Sequence, residues 1–158
     1  MKKIGFFLIP FLTFSISACG PNYIVEKEVP IIEGQWSYDQ QLDFDFEIAD
    51  SLKLYNLLLD INYEKTYPKQ NLYLRIHSLF PEREPIAQVL SIDLMDKMGR
   101  NKGDCNEEEC TVEILLQNEA YFNTLGKHTI RLEQFMRINP LPGITSMKLK
   151  VEDTGKQR

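Results

Sequence analysis

The segment Asp43-Phe44-Asp45-Phe46-Glu47-Ile48 alternates acidic and apolar residues without a break. A helix would scatter these six side chains around its axis, whereas a strand sends every second one to the same face. The segment therefore predicts a strand with one face in a core and the other in water. The same period of two recurs along the chain. Leu57, Leu59, Ile61 and Tyr63 share one face, opposite Leu58, Asp60 and Asn62. Leu72, Leu74 and Ile76 follow, then Leu90, Ile92 and Leu94, then Val112, Ile114 and Leu116. His128, Ile130, Leu132 and Gln134 alternate with Thr129, Arg131, Glu133 and Phe135, and Met147, Leu149 and Val151 close the series. Tyr23 to Val29 reads as linker with one edge strand. Turn signals separate these runs: Asp50-Ser51, the Tyr67–Asn71 stretch around Pro68, and Pro140-Leu141-Pro142-Gly143. Phe80–Pro85 reads as a proline-bounded loop and Lys97–Glu109 as a polar one, while Asn118–Leu125 is either a helical turn or a crossover. No segment sustains a 3.6-residue period, and no internal repeat is present. About eight short strands predict an all-β fold, an antiparallel β-sandwich of jelly-roll or immunoglobulin-like kind.

The N-terminus obeys a different rule. Met1-Lys2-Lys3 is basic, and Ile4 to Ala18 carries no charge. A membrane-spanning helix needs roughly 20 apolar residues; this run is shorter and contains Pro10. It reads as a secretory signal peptide. Its end, Ile16-Ser17-Ala18-Cys19, resembles a bacterial lipobox, in which an aliphatic and two small residues precede the cysteine. The resemblance implies cleavage before Cys19, a thioether lipid on its sulfur and acylation of the new amine. The competing reading is an ordinary secretory cut near Ser17, with Cys19 a plain cysteine. A multiply acylated chain stays on its membrane, because each buried methylene contributes about 0.8 kcal/mol. Gly20 stands where an inner-membrane retention signal would carry Asp, which favours the outer membrane. No acidic cluster follows directly, which favours the periplasm-facing leaflet. The expected organisation is signal peptide 1–18, lipidated tether and linker 19–34, β-sandwich 35–153 opened by Trp36, and a frayed tail 154–158.

Cleavage would remove two lysines and leave 16 basic residues against 23 acidic ones, a net charge of −7. That balance disfavours nucleic acid and acidic headgroups as partners. With Cys19 lipidated, Cys105 and Cys110 remain as a pair in an oxidising compartment. A disulfide, free thiols and a metal site with Glu107–Glu109 between the cysteines are the three readings. The disulfide is favoured, because structural zinc sites use tighter spacing and a second ligand pair.

Enzyme signatures are missing. There is no Gly-x-Ser-x-Gly, phosphate loop, His-Glu-x-x-His or dinucleotide fingerprint. His77 falls on an outward face and His128 on an inward one, and neither reads as catalytic. Asp39, Asp43, Asp45, Glu47 and Asp50 would suit calcium, but their alternation with core residues reads as a solvated strand face. Trp36, Tyr38, Tyr55, Tyr63, Tyr67 and Tyr73 would suit a sugar platform; closing the ends of a sandwich is the commoner use. No catalytic residue, metal, cofactor or small-molecule substrate is expected.

From Trp36 to Glu152 the order and spacing of several pieces resemble the gliding-motility lipoprotein H (GldH) family. They are Trp36, Phe44-x-Phe46-x-Ile48-x-Asp50, Tyr55-Asn56-Leu57, Tyr67-Pro68, Asn71-Leu72-Tyr73-Leu74 and Phe80-Pro81. Gln134-x-Met136-Arg137 and Leu141-Pro142-Gly143-Ile144 complete the set. The resemblance implies an outer-membrane lipoprotein without catalytic activity, serving gliding motility and the linked secretion and envelope machinery. Its partners would be other envelope proteins. The rival roles are a general outer-membrane assembly factor and a carbohydrate-binding lipoprotein. The family-like residues Tyr67, Pro68, Asn71, Gln134, Arg137 and Gly143 are the candidate partner face. The alternative is that they fix turns and caps.

Overall fold

The structure is a computed structural model and describes residues 20–158. The expected signal peptide and the expected lipidation site, Cys19, lie outside the described residues. Eleven strands follow in order: β1 Tyr23–Pro30, β2 Gln35–Trp36, β3 Leu42–Ile48, β4 Lys53–Glu64, β5 Asn71–Phe80 and β6 Arg83–Asp93. Then come β7 Asp104–Cys105, β8 Glu109–Ala120, β9 Gly126–Gln134, β10 Leu141–Pro142 and β11 Ile144–Gln157. Eight are long: seven match the seven alternating runs and β1 is the edge strand of the linker; β2, β7 and β10 are two-residue pairings in the loops.

Two antiparallel sheets form the sandwich. One has the order β1-β11-β4-β8-β7, the other β3-β9-β5-β6, and β10 pairs with β2 beside them. The alternation explains the packing. Leu57, Leu59, Ile61 and Tyr63 of β4 and Met147, Leu149 and Val151 of β11 are buried on the inner face of the first sheet. They meet Phe44, Phe46 and Ile48 of β3, Leu72, Leu74 and Ile76 of β5, and Ile130 and Leu132 of β9. The outer positions of β3 pair across to β9. Arg131 donates twice to Asp43 at 2.7 and 2.8 Å, Thr129 donates to Asp45 at 2.7 Å, and Lys127 lies 3.0 Å from Asp45. The acidic face is thus matched by a basic strand.

The edge strand expected within the linker is Tyr23–Pro30, paired along β11. Three other boundaries shift. The tail does not fray at Thr154, because β11 runs to Gln157, which pairs with Lys53. Phe80–Pro85 is the tip of a hairpin in which Phe80 already faces Arg83. Pro85 is tolerated inside β6 because that strand lies on the sheet edge, where a missing N–H leaves no partner unsatisfied. The stretch Asn118–Leu125 is strand up to Ala120 and then crosses to the other sheet.

The polar loop Lys97–Glu109 contains a small hairpin closed by the disulfide Cys105–Cys110. Asn106 Oδ1 accepts from the backbone N–H groups of Glu108 and Glu109, both at 2.8 Å, which shapes the turn between the two sulfurs. The pairing favoured among the three readings is the one formed.

Candidate partner-binding site

The Tyr67–Asn71 and Gln134–Ile144 segments, 63 or more residues apart in sequence, meet at one end of the sandwich. Phe135 N–H donates to Tyr73 O at 2.8 Å, and Tyr73 N–H points at Met136 Sδ at 3.3 Å. Gly143 connects the two sides: its N–H donates to Gly34 O at 3.0 Å and its carbonyl accepts from Glu64 N–H at 2.9 Å. Its φ of +84° strains any other residue, and a Cβ there would stand a tight 3.3 Å from the Tyr67 ring, so the position favours glycine.

Juxtaposition does not make all six candidates a surface. Tyr67 and Gln134 are buried at 2% and 3% exposure, and Gly143 is buried too. The Tyr67 hydroxyl donates to Asn71 O at 3.1 Å, and burial pushes its pKa above the usual tyrosine range. The Gln134 amide donates to Ile138 O at 3.1 Å, and its oxygen accepts from Met136 N–H at 2.9 Å. These three residues fix turns, which is the alternative the sequence left open. Asn71 is half-buried, while Pro68 and Arg137 remain exposed.

What this framework presents to solvent is a groove of about 540 Å³ lined by Lys69, Tyr73, Val89, Met136, Arg137 and Phe135. Tyr73, Val89 and Phe135 are each more than 40% exposed although they occupy strands or strand ends. Arg75 stacks over one face of Phe135, its guanidinium 4.1 Å from the ring centroid. Glu133 in turn lies 3.7 Å from Arg75 and 3.3 Å from His77. Met136 is fixed from below: the Tyr38 hydroxyl donates to its carbonyl at 2.7 Å, and Tyr38 N–H donates to Asn139 at 2.9 Å. The result is an apolar, aromatic floor with cations Lys69 and Arg137 at its rim. The sequence signal for it was parity: Tyr73 and Phe135 are aromatics at outward positions of alternating strands.

Residues 23–151 match the family model described as GldH lipoprotein, which is most of the chain and both halves of the groove. The chain belongs to the GldH lipoprotein family. It is 26% identical to a protein of Christiangramia forsetii named gliding motility lipoprotein GldH homolog, covering 92% of this chain and 93% of that one. It is 23% identical to the gliding motility lipoprotein GldH of Flavobacterium johnsoniae, over 96% and 97% of the two chains.

Elsewhere in this GldH-family chain, polar groups that sequence reading weighed for chemistry are committed to the fold. His128 is buried and shares a hydrogen bond of 2.8 Å with Thr124 O. On the outer face of the first sheet, Lys150 lies 2.8 Å from Asp60 and also meets Glu113. Burial pulls the Lys150 ammonium down, but its hydrogen bonds to Asp60 and Glu113 outweigh this and hold its pKa above the usual lysine range. Among the described residues no group of three His, Cys, Asp or Glu side chains gathers around a common point that would suit a metal ion.

Proposed function

We propose that this protein is an outer-membrane lipoprotein that serves gliding motility as a non-enzymatic binding module. Lipid on Cys19 holds it on the periplasm-facing leaflet, and the Tyr73–Phe135 groove grips another protein of the gliding, secretion and envelope machinery. The observation that carries this reading is the groove. Exposed aromatics on a rigid floor, with an Arg at the edge, are what protein interfaces use as anchors. The cations Lys69 and Arg137 stand out on a chain of negative net charge. They suit a partner segment that offers an apolar side chain flanked by carboxylates.

A carbohydrate ligand fits the groove less well. Sugars stack on open aromatic faces, and Arg75 over Phe135 leaves that ring only one. The direct test is recovery of crosslinked partners from outer membranes with wild type, Phe135→Ser and Arg137→Glu proteins. Both variants should keep the wild-type unfolding midpoint and localisation and lose the partner at least about tenfold, as hot-spot truncations do. Undiminished recovery with both variants would refute the groove as the interface.

A further inference from the structure

The groove lies at one end of the sandwich; the chain enters at the other. The Asp153 N–H donates to Asn22 O at 2.8 Å, and Tyr23 stands opposite Glu152 at the start of β1. Cys19 lies three residues before Asn22, so an extended link spans at most about 11 Å. Any lipid on Cys19 is therefore held within that reach of this end.

The same end carries the exposed apolar tips of two connections. Leu52 lies in the β3–β4 turn, and Tyr121 and Leu125 lie in the β8–β9 crossing; each is more than half exposed. Arg158 ties them into one rim. Its backbone N–H donates to Leu52 O at 3.0 Å, its guanidinium sits 5.2 Å from the Tyr121 ring, and it donates to Asn123 at 3.0 Å. The lysines nearby are neutralised: Lys53 pairs with Asp153 at 2.7 Å, and Lys156 pairs with Glu119. The adjoining hairpin tip adds Glu82 and Glu84 on either side of Arg83. Apolar tips, a tyrosine beside an arginine and balanced or acidic charge suit a zwitterionic headgroup layer better than an anionic one.

We infer that Leu52, Tyr121 and Leu125 seat this end of the sandwich in the headgroup layer of the leaflet that holds the Cys19 lipid. The inference rests on the reading of Cys19 as the anchor. The sandwich then stands on the membrane, with β4, about 40 Å long at the usual rise per residue, carrying the groove away from the bilayer.

The test uses full-length lipidated protein in vesicles of phosphatidylcholine and phosphatidylethanolamine brominated at acyl carbons 6 and 7. Bromine quenches only tryptophan close to it. The parent protein has one tryptophan, Trp36, at the far end. Tyr121→Trp and Leu125→Trp each add a reporter at the rim, on side chains exposed enough to tolerate it. In brominated vesicles the added emission should fall about twofold or more, as for side chains resting at the acyl boundary, while Trp36 in the parent stays unquenched. Mass measurement of the N-terminal peptide from the same samples reports the lipid on Cys19. Acylated Cys19 with unquenched reporters, or with Trp36 quenched as strongly, overturns the seating alone. Unmodified Cys19 overturns the anchor reading and the seating with it.

Discussion

The two ends of the sandwich are closed in different ways. At the groove end, Trp36, Tyr63 and Tyr67 are almost wholly buried, and each spends its polar atom on a backbone carbonyl. Trp36 Nε1 donates to Gln40 O at 2.8 Å, and the Tyr63 hydroxyl lies 2.8 and 2.7 Å from the carbonyls of Leu94 and Lys102. These side chains tie loops distant in sequence to a single frame, and the disulfide closes the neighbouring hairpin. At the other end, Phe46, Phe80, Phe122 and His128 pack edge to face or stacked around a cleft of about 360 Å³. The His128 Nδ1 there is buried without a partner. The contrast teaches where rigidity was placed. Loops cross-linked through buried hydroxyls and an indole hold the groove in one shape, which on the proposed reading lowers the entropy lost on binding. The opposite end, proposed to rest on lipid, needs apolar tips more than a fixed shape.

Substitutions can break this contrast. Trp36→Ala should have the largest effect, a loss of about 3–5 kcal/mol in urea unfolding, because it opens a cavity and leaves the groove-end loops without their common anchor. Phe122→Ala at the other end should cost less, since that ring borders an existing cleft. Gly143→Ala should lose about 2–3 kcal/mol, combining positive-φ strain with the Tyr67 contact. It should also weaken partner recovery, although residue 143 is buried. Replacing both Cys105 and Cys110 with Ser should lose about 2 kcal/mol, the loop-entropy value for so short a ring, and leave partner recovery unchanged.

The smallest effect is electrostatic. The hydrogen bond from Arg131 holds the Asp43 carboxyl below the usual carboxylate range, and that from Lys53 does the same for Asp153. A carboxylate whose folded pKa is depressed stabilises the fold fully above its unfolded pKa and loses that contribution as pH falls through the folded value. Acid titration should therefore leave stability flat above about pH 5 and lower it below about pH 4. Asp43→Asn should flatten that slope by less than about 1 kcal/mol, because Asp43 is nearly half exposed and water screens the pair.

The strands and the choice of buried faces were legible because side-chain parity in a strand is unambiguous wherever apolar and polar residues alternate. Phe44, Phe46 and Ile48 went inward as their spacing required, and His77 and His128 fell on opposite faces for the same reason. Edges were less legible. Tyr23–Pro30 alternates weakly, because an edge strand covered on one side buries little, and the tail joins β11 only through pairing with β4. The groove was half legible. Sequence marked the two segments that meet there, yet Tyr67, Gln134 and Gly143 carry the meeting point inside, while Tyr73 and Phe135 carry the surface. Whether a tyrosine near a proline turn folds in or out depends on the loop packed against it, and that loop comes from 60 or more residues away.

Site-specific photo-crosslinking in gliding cells compares the two ends most directly. A photoreactive residue at Val89, on the groove, and another at Leu125, on the opposite rim, report what each end touches. A discrete protein adduct is expected from position 89 and none from position 125, which should label lipid instead. A protein adduct from position 125 with none from position 89 would reverse the roles proposed for the two ends.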